Sequence, residues 1–239
     1  MPLPWTALTD YPIPQLPRPA DLDPNHVTNL SQAAVAEQAA MSALRKGGLN
    51  IIGEILKGQG TFYEMNHYPE DDVFDSDSKS QYYYHAHRGD EHGHFHTFLR
   101  RAAIPAHIHP AQGFKRSEPC HKPEDELAHL ICISMDAEGL PLGIFAVNRW
   151  VTDESWYSAE DTIELLGLFK IEHANPNLAV NQWLTNFIRL FRPHIETLLR
   201  HRDQVITAWQ ENHPEQDVLE DRRLEITGYL PIDRHYLDR

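Results

Sequence analysis

The stretch YYYHAHRGDEHGHFHTF, residues 82 to 98, holds five histidines in twelve positions, spaced H-x-H, a gap of four residues, then H-x-H-x-H. Aromatic and polar residues alternate on both sides of residues 88–91, whose sequence RGDE is typical of a turn. Because side chains alternate between the two faces of a strand, histidines two residues apart share a face. The stretch therefore predicts a β-hairpin with its histidines grouped on each strand.

The length of the hairpin loop decides whether the two groups of histidines meet. A two-residue turn at positions 89 and 90 gives three cross-strand pairs: His87 with His92, His85 with His94, and Tyr83 with His96. Any even-numbered loop keeps these residues on one face, whereas an odd loop or a bulge separates them. Directly opposed Cβ atoms lie about 4.5–5.5 Å apart, close enough for two imidazoles to bind one cation.

This geometry predicts a mononuclear or closely spaced dinuclear metal site on the hairpin. The expected ligands and catalytic residues are all in the quoted stretch: His85, His87, His94 and His96 as metal ligands, Glu91 as a carboxylate ligand or general base, and His92 as a catalytic residue near the rim. Imidazole with a carboxylate suits iron, zinc or copper, and we expect iron before the other two. Iron would indicate O₂-dependent oxidation, and zinc the hydrolysis of a small molecule by bound water.

Other histidines can complete such a site. His107 and His109 follow the second strand of the hairpin and can fold back as further ligands, while His67, His121 and His129 are near the same sheet in sequence. A solvated polar face, with no metal at all, is the simplest alternative for any H-x-H in a strand.

Two motif resemblances and one further function class stay open. His85-x-His87 followed by Glu91 is similar to the HxHx3E core of the cupin metal motif, without its spaced glycines. Residues 92–98 resemble the histidine-triad motif of nucleotidyl hydrolases and transferases, which implies His94 as a nucleophile toward an α-phosphate. A non-catalytic metal or haem carrier or sensor would use the same histidines without an open coordination position.

The rest of the chain predicts an α+β fold with one antiparallel sheet of about six strands. A helix is expected over 30–46, capped by Asn29 or Ser31 and closed at Gly47 and Gly48. Strands are expected at 49–56 (LNIIGEIL) and 60–68 (GTFYEMNHY), then an acidic loop at 70–80, the histidine hairpin, and a second hairpin over 128–151 with Gly139 in its turn. Beyond Ser158 the pattern is helical, including a helix from about 178 to 191 and another that starts at Pro193.

The predicted organisation is a Pro-rich extended strap at residues 1–24 and a single α+β domain at 25–239. In that domain, 25–157 form the N-terminal helix and the sheet, and 158–239 form a helical part packed on the sheet. Asn148, Arg149 and Trp150 can line a pocket or can be structural, and a hydrophobic pocket under the C-terminal helices is the expected place for substrate.

Composition restricts partners and location. The formal net charge of -14 disfavours nucleic acid and anionic membranes. No run approaches the roughly 20 apolar residues of a membrane span, and the N-terminus lacks a signal-peptide pattern, so we expect a cytoplasmic protein. Cys120 and Cys132 are expected as free thiols, with a bridge between them left open. We expect a small-molecule substrate and leave a homodimer open.

The combination of HAH, EHGHFHxF, NRWVT and LFRPxI resembles a bacterial family of uncharacterised proteins. The similarity covers nearly all the chain after residue 25. The resemblance implies a bacterial origin and one common architecture, and it implies no reaction.

Overall fold

The computed structural model describes residues 15–89, 91–113 and 126–232. One six-stranded sheet is the centre of the fold, and every strand pairs antiparallel with its neighbour in sequence. The strands are β1 (Tyr68–Phe74), β2 (Ser80–His85), β3 (Gly93–Arg100), β4 (Leu127–Met135), β5 (Pro141–Val147) and β6 (Ile226–Pro231). The predicted α+β class with an antiparallel sheet of about six strands is confirmed.

The helices precede the sheet and fill the long connection from β5 to β6. They are α1 (Pro24–Lys46), α2 (Ile51–Leu56), α3 (Arg149–Thr152), α4 (Ala159–Leu166), α5 (Leu178–Leu190) and α6 (Arg192–Asn212). The Ser158 hydroxyl caps α4 by accepting from Asp161 N, as predicted. Pro193 lies in the first turn of α6, where its missing N–H costs nothing.

Helix α1 is longer than its sequence pattern predicted. The Asp23 carboxylate accepts from Asn25 N and Pro24 fills the first helical position, so the expected caps at Asn29 and Ser31 are wrong. The helix ends as predicted, with Gly48 at φ +70°. Of the predicted strap, residues 1–14 lie outside the described residues, 15–18 have no regular structure, and Pro24 already belongs to α1.

The first two predicted strands are wrong. Residues 51–56 are helix α2, started by the Asn50 side chain accepting from Gly53 N, because Ile51, Ile52 and Ile55 also fit one buried helical face. Residues 60–67 are not strand, and β1 instead includes residues 70–74 of the stretch expected to be an acidic loop. Exposed Glu70 and Asp71 suit an edge strand, where charge opposes pairing with another chain.

The end of the chain also differs from the prediction. Strand β5 ends at Val147, so residues 148–151 do not continue it, and Asn148 caps the short helix α3. The segment beyond 158, expected to be helical, also supplies β6. The predicted number of strands is therefore correct, although two of the six strands are not the ones expected. The 128–151 hairpin is otherwise confirmed, with Gly139 at φ +82°.

Helix α5 packs on one face of the sheet, and α1 packs against α5. Tyr82 on β2 donates to Asn181 Oδ1 at 2.5 Å, and the ring of Phe95 on β3 lies 5.8 Å from that of Trp183. The Trp183 indole donates to Glu37 of α1 at 3.0 Å, which joins the two helices. Because side chains alternate along each strand, the hairpin histidines lie on the opposite face.

Candidate metal centre

Two adjacent cross-strand rows form the histidine face of the sheet. The first row runs from β2 to β6 through Tyr83, His96, Cys132, Phe145 and Tyr229. The second row contains His85, His94, Ser134 and Gly143. The predicted pairs His85 with His94 and Tyr83 with His96 are thus confirmed, and both bring imidazoles to the same face.

The first cluster consists of His85, His87 and His94. The Nε2 atoms of His85 and His94 are 2.8 Å apart, and the His87 ring centroid lies 5.0 Å from each of the other two. One ligand atom from each residue lies within 4.8 Å of the others, so the group can hold one metal ion. His85 and His94 are buried, whereas His87 follows the end of β2 and is half-buried.

Glu91 lies behind this cluster and orients His94. Its Oε1 accepts from His94 Nδ1 at 2.5 Å, which directs the His94 Nε2 lone pair toward His85. Burial raises the pKa of Glu91, while the Ser134 hydrogen bond and the charge of Arg88 act in the opposite direction. The structure therefore brings Glu91 to the site as a partner of a ligand, with its bonded oxygen on the far side of the His94 ring.

Arg88 closes the end of the site next to Glu91. Its Nη1 is 3.9 Å from Glu91 Oε1, its Nη2 donates to Glu225 at 2.7 Å, and its guanidinium stacks over Phe145 at 4.5 Å. The side chain is only 5% exposed, so its charge is felt strongly by the Glu91 carboxylate. The Arg88 charge therefore offsets part of the effect of burial, which raises the pKa of Glu91.

The second cluster consists of His96, His129 and Cys132. His96 Nδ1 is 3.2 Å from His129 Nε2, and Cys132 Sγ is 3.3 Å from the first nitrogen and 3.4 Å from the second. All three residues are at most 4% exposed. The four predicted histidine ligands are therefore divided, with His96 in the second group and the other three in the first. The two groups adjoin, because the rings of His94 and His96 are 4.9 Å apart.

A β-bulge in β4 builds the second cluster. Residues three apart on a regular strand face opposite sides, yet His129 and Cys132 converge. The ladder shifts between Thr97, which pairs with Ile131, and Phe98, which pairs with His129, so one residue of β4 is extra. Cys132 is a free buried cysteine, as expected from composition, while Cys120 lies outside the described residues.

His92 does not join either cluster, and the prediction that it shares their face is wrong. Its Nδ1 is 2.7 Å from the Tyr84 hydroxyl and its ring stacks on Phe62 at 5.3 Å, on the side where Tyr84 packs into the main core. The hairpin connection explains this, because the last pair of the β2–β3 ladder is His85 with His94, and residue 87 does not pair with 92. A catalytic role for His92 stays a prediction, without geometric support.

The remaining candidate histidines are dispersed. His107 is 67% exposed and lies 2.8 Å from Glu164, and His109 is exposed. His67 stacks on Tyr83 at 3.6 Å and touches the His85 ring edge, so it borders the first cluster without entering it. His121 lies outside the described residues. Among the four of these histidines that the structure describes, only His129 brings a ligand atom into a cluster.

Burial keeps the clustered histidines neutral. It lowers the pKa of His85 to about 2 and that of His129 to about 3, and holds the pKa values of His94 and His96 well below the usual range. Burial also raises the pKa of the Cys132 thiol well above its ordinary value. Neutral imidazoles keep the lone pairs that bind metal ions.

Asn148 and Arg149 have structural roles. The Asn148 amide donates to Val218 O and Leu224 O, and Arg149 pairs with Asp217 and Glu220. These contacts connect β5 to the turn before β6. A groove of about 610 Å³ involves α1, α5 and α6, but no residue of either histidine cluster lines it.

Most of the chain matches one family profile. Residues 31–232 match the profile described as domain of unknown function (DUF6969). The chain belongs to this family. No curated protein and no solved structure matches the chain. Within the described part of this DUF6969 protein, no helix has the length and apolar character needed to cross a membrane.

Proposed function

We propose that this DUF6969 protein is a metalloenzyme for small molecules, with one divalent transition-metal ion on His85, His87 and His94. The convergence of the His85 and His94 Nε2 atoms at 2.8 Å carries the proposal. Two ligand nitrogens of a tetrahedral zinc site, each about 2.0–2.1 Å from the ion, are roughly 3.3 Å apart. A shift of about half an ångström would admit the metal.

Glu91 supports this proposal from the second coordination sphere. A metal-binding histidine usually donates its other N–H to a carboxylate or carbonyl, which fixes its tautomer and ring orientation. His94 has this arrangement, with its Nδ1–H donating to Glu91. A histidine on a merely solvated face would need no such partner, and His94 is fully buried.

The donor set favours zinc. The expectation of iron depended on Glu91 as a carboxylate ligand beside two histidines. Because Glu91 is bonded to His94 Nδ1, the nearest metal donors are three imidazoles. This ligand set is found in zinc enzymes that keep a fourth coordination position for water or substrate. We therefore propose hydrolysis by zinc-bound water as the first chemistry, and O₂-dependent oxidation at iron as the second. His87, as the half-buried member, would adjoin the open position.

A histidine-triad mechanism has less support than metal binding. A nucleophilic His94 must reach the phosphorus atom of its substrate, but its ring is fully buried. Glu91 contacts one of its nitrogens and His85 the other. The arrangement holds the ring in place as a ligand more readily than as a group that attacks a substrate.

Elemental analysis of untagged protein tests the metal site. The unaltered chain is compared with the double variant His85→Ala/His94→Ala. A third protein, His107→Ala, is the control, because it replaces an exposed histidine outside both clusters. We expect near-stoichiometric zinc or iron in the first and third proteins, and loss of one equivalent in the double variant. A folded, metal-free wild-type protein, or unchanged metal in the double variant, would overturn the proposal.

Anion binding tests the catalytic part. Cobalt(II) loaded into the first cluster should change its visible spectrum when azide is added, because an open coordination position accepts the anion. A spectrum unaffected by azide would indicate a closed site and a non-catalytic metal binder.

A further inference from the structure

The geometry points to a second metal site, formed by His96, His129 and Cys132, that binds a borderline or soft ion such as zinc or copper. This site goes beyond the proposed function, which needs only the first cluster. Its three ligand atoms are His96 Nδ1, His129 Nε2 and Cys132 Sγ.

The distances between these atoms are those of one face of a metal tetrahedron. For metal–nitrogen bonds of about 2.0–2.1 Å and a metal–sulfur bond of about 2.3 Å, tetrahedral angles give roughly 3.3 Å between nitrogens and 3.6 Å between nitrogen and sulfur. The observed separations are 3.2 Å for the nitrogen pair and 3.3 and 3.4 Å for the nitrogen–sulfur pairs. An ion can therefore be placed with movements of a few tenths of an ångström.

The surrounding backbone is built to hold this convergence. The bulge that turns His129 toward Cys132 is fixed from both sides. Glu154 accepts from the His129 backbone N–H at 2.7 Å, and Thr97 Oγ1 donates to Ile131 O at 2.8 Å. Bulges that redirect a side chain are typical of functional sites. Without this bulge, the three ligand side chains would be divided between the two faces of the sheet.

The chemistry of the donors selects the ion. A thiolate with two imidazoles is a set for zinc and copper, whereas magnesium and calcium require oxygen ligands. The site is also enclosed, since His96 and Cys132 are fully buried and apolar neighbours such as Phe145 and Val205 lie in the same cluster as the sulfur. An enclosed site suits a structural or electron-transferring ion, because substrate cannot reach it.

Cobalt(II) substitution tests the second site directly. Cobalt coordinated by a thiolate has a charge-transfer band in the near ultraviolet that cobalt bound only by imidazole lacks. We expect this band in the full chain titrated with cobalt, its loss in Cys132→Ser, and its retention in Cys120→Ser. It should also persist in His85→Ala/His94→Ala, which separates this proposal from the first metal site.

Two results would overturn the inference. One is cobalt bound by the unaltered chain without the thiolate band, which does not depend on whether any variant folds. The other is a band unchanged in Cys132→Ser, which would assign the sulfur to Cys120. His129→Gln provides a second variant, in which we expect at least tenfold weaker cobalt binding at the thiolate site.

Discussion

Acid should destabilise the metal-free protein strongly, because the buried histidines are neutral. Four of the buried histidines belong to the two clusters: His85, His94, His96 and His129. Burial lowers the pKa of each in the folded state. In the unfolded chain the pKa is about 6.5, so below that pH the unfolded state binds protons that the folded state excludes. Stability is thus lost as the pH falls through about 6.5, and the loss is complete only below the folded pKa values.

The size of the effect follows from proton linkage. Between about pH 7.5 and 5.5, each histidine that stays neutral in the folded state lowers the free energy of unfolding by about 1.4 kcal/mol, and four lower it by roughly 5 kcal/mol. Glu154 acts in the opposite direction, because burial raises its pKa to about 7 and the folded state takes up its proton. This proton uptake stabilises the folded state by roughly 2 kcal/mol over the same pH range. These four histidines and Glu154 should together lower the free energy of unfolding by roughly 3 to 4 kcal/mol, a large part of a typical 5–15 kcal/mol.

Urea denaturation of chelator-treated protein at several pH values measures this change. His85→Asn should reduce the pH dependence by about one proton. A fall of less than about 1 kcal/mol, or a rise, would refute the neutral state of the buried histidines.

Three further substitutions test particular contacts. Glu91→Gln should weaken metal binding at the first cluster by about 10- to 100-fold, measured by competition with a chromophoric chelator; unchanged affinity would contradict its orienting role. Gly93→Ala should destabilise the fold by about 1–3 kcal/mol, because an added Cβ would lie 2.5 Å from the His85 carbonyl oxygen, whereas Gly89→Ala has open space and should change thermal stability little. Tyr82→Phe should lower the free energy of unfolding by about 1–3 kcal/mol, because the buried Asn181 amide oxygen on α5 loses its donor. A smaller loss in urea denaturation would show that this amide finds another donor.

The histidine hairpin could be predicted from sequence because two-residue periodicity is a direct property of strands. The pairs of His85 with His94 and Tyr83 with His96 follow from the register of a short turn, and their common face depends only on parity across the loop. His92 could not be placed in the same way, because its position depends on where pairing stops and on an aromatic partner, Phe62, that comes from a distant loop.

The second cluster was beyond prediction for a different reason. The spacing of His129 and Cys132 places them on opposite faces of any regular strand. The bulge that brings them to one face has no characteristic residue type in the sequence. Helix α2 shows a related ambiguity. Its short apolar run fits a strand or a helix equally, and the Asn50 cap selects the helix. The signal for that cap was present in the sequence as an asparagine before the apolar run.

The order of the strands has a consequence for biosynthesis. All six clustered residues occur between His85 and Cys132, on or beside three consecutive strands. Every donor residue of both clusters is therefore synthesised before the helices that follow β5. Val205 and Ile206, which pack in the cluster containing Cys132, are added much later. If the proposed sites bind metal, the interval before Val205 and Ile206 are added is the stage of translation at which an ion would meet the donors of the second cluster uncovered.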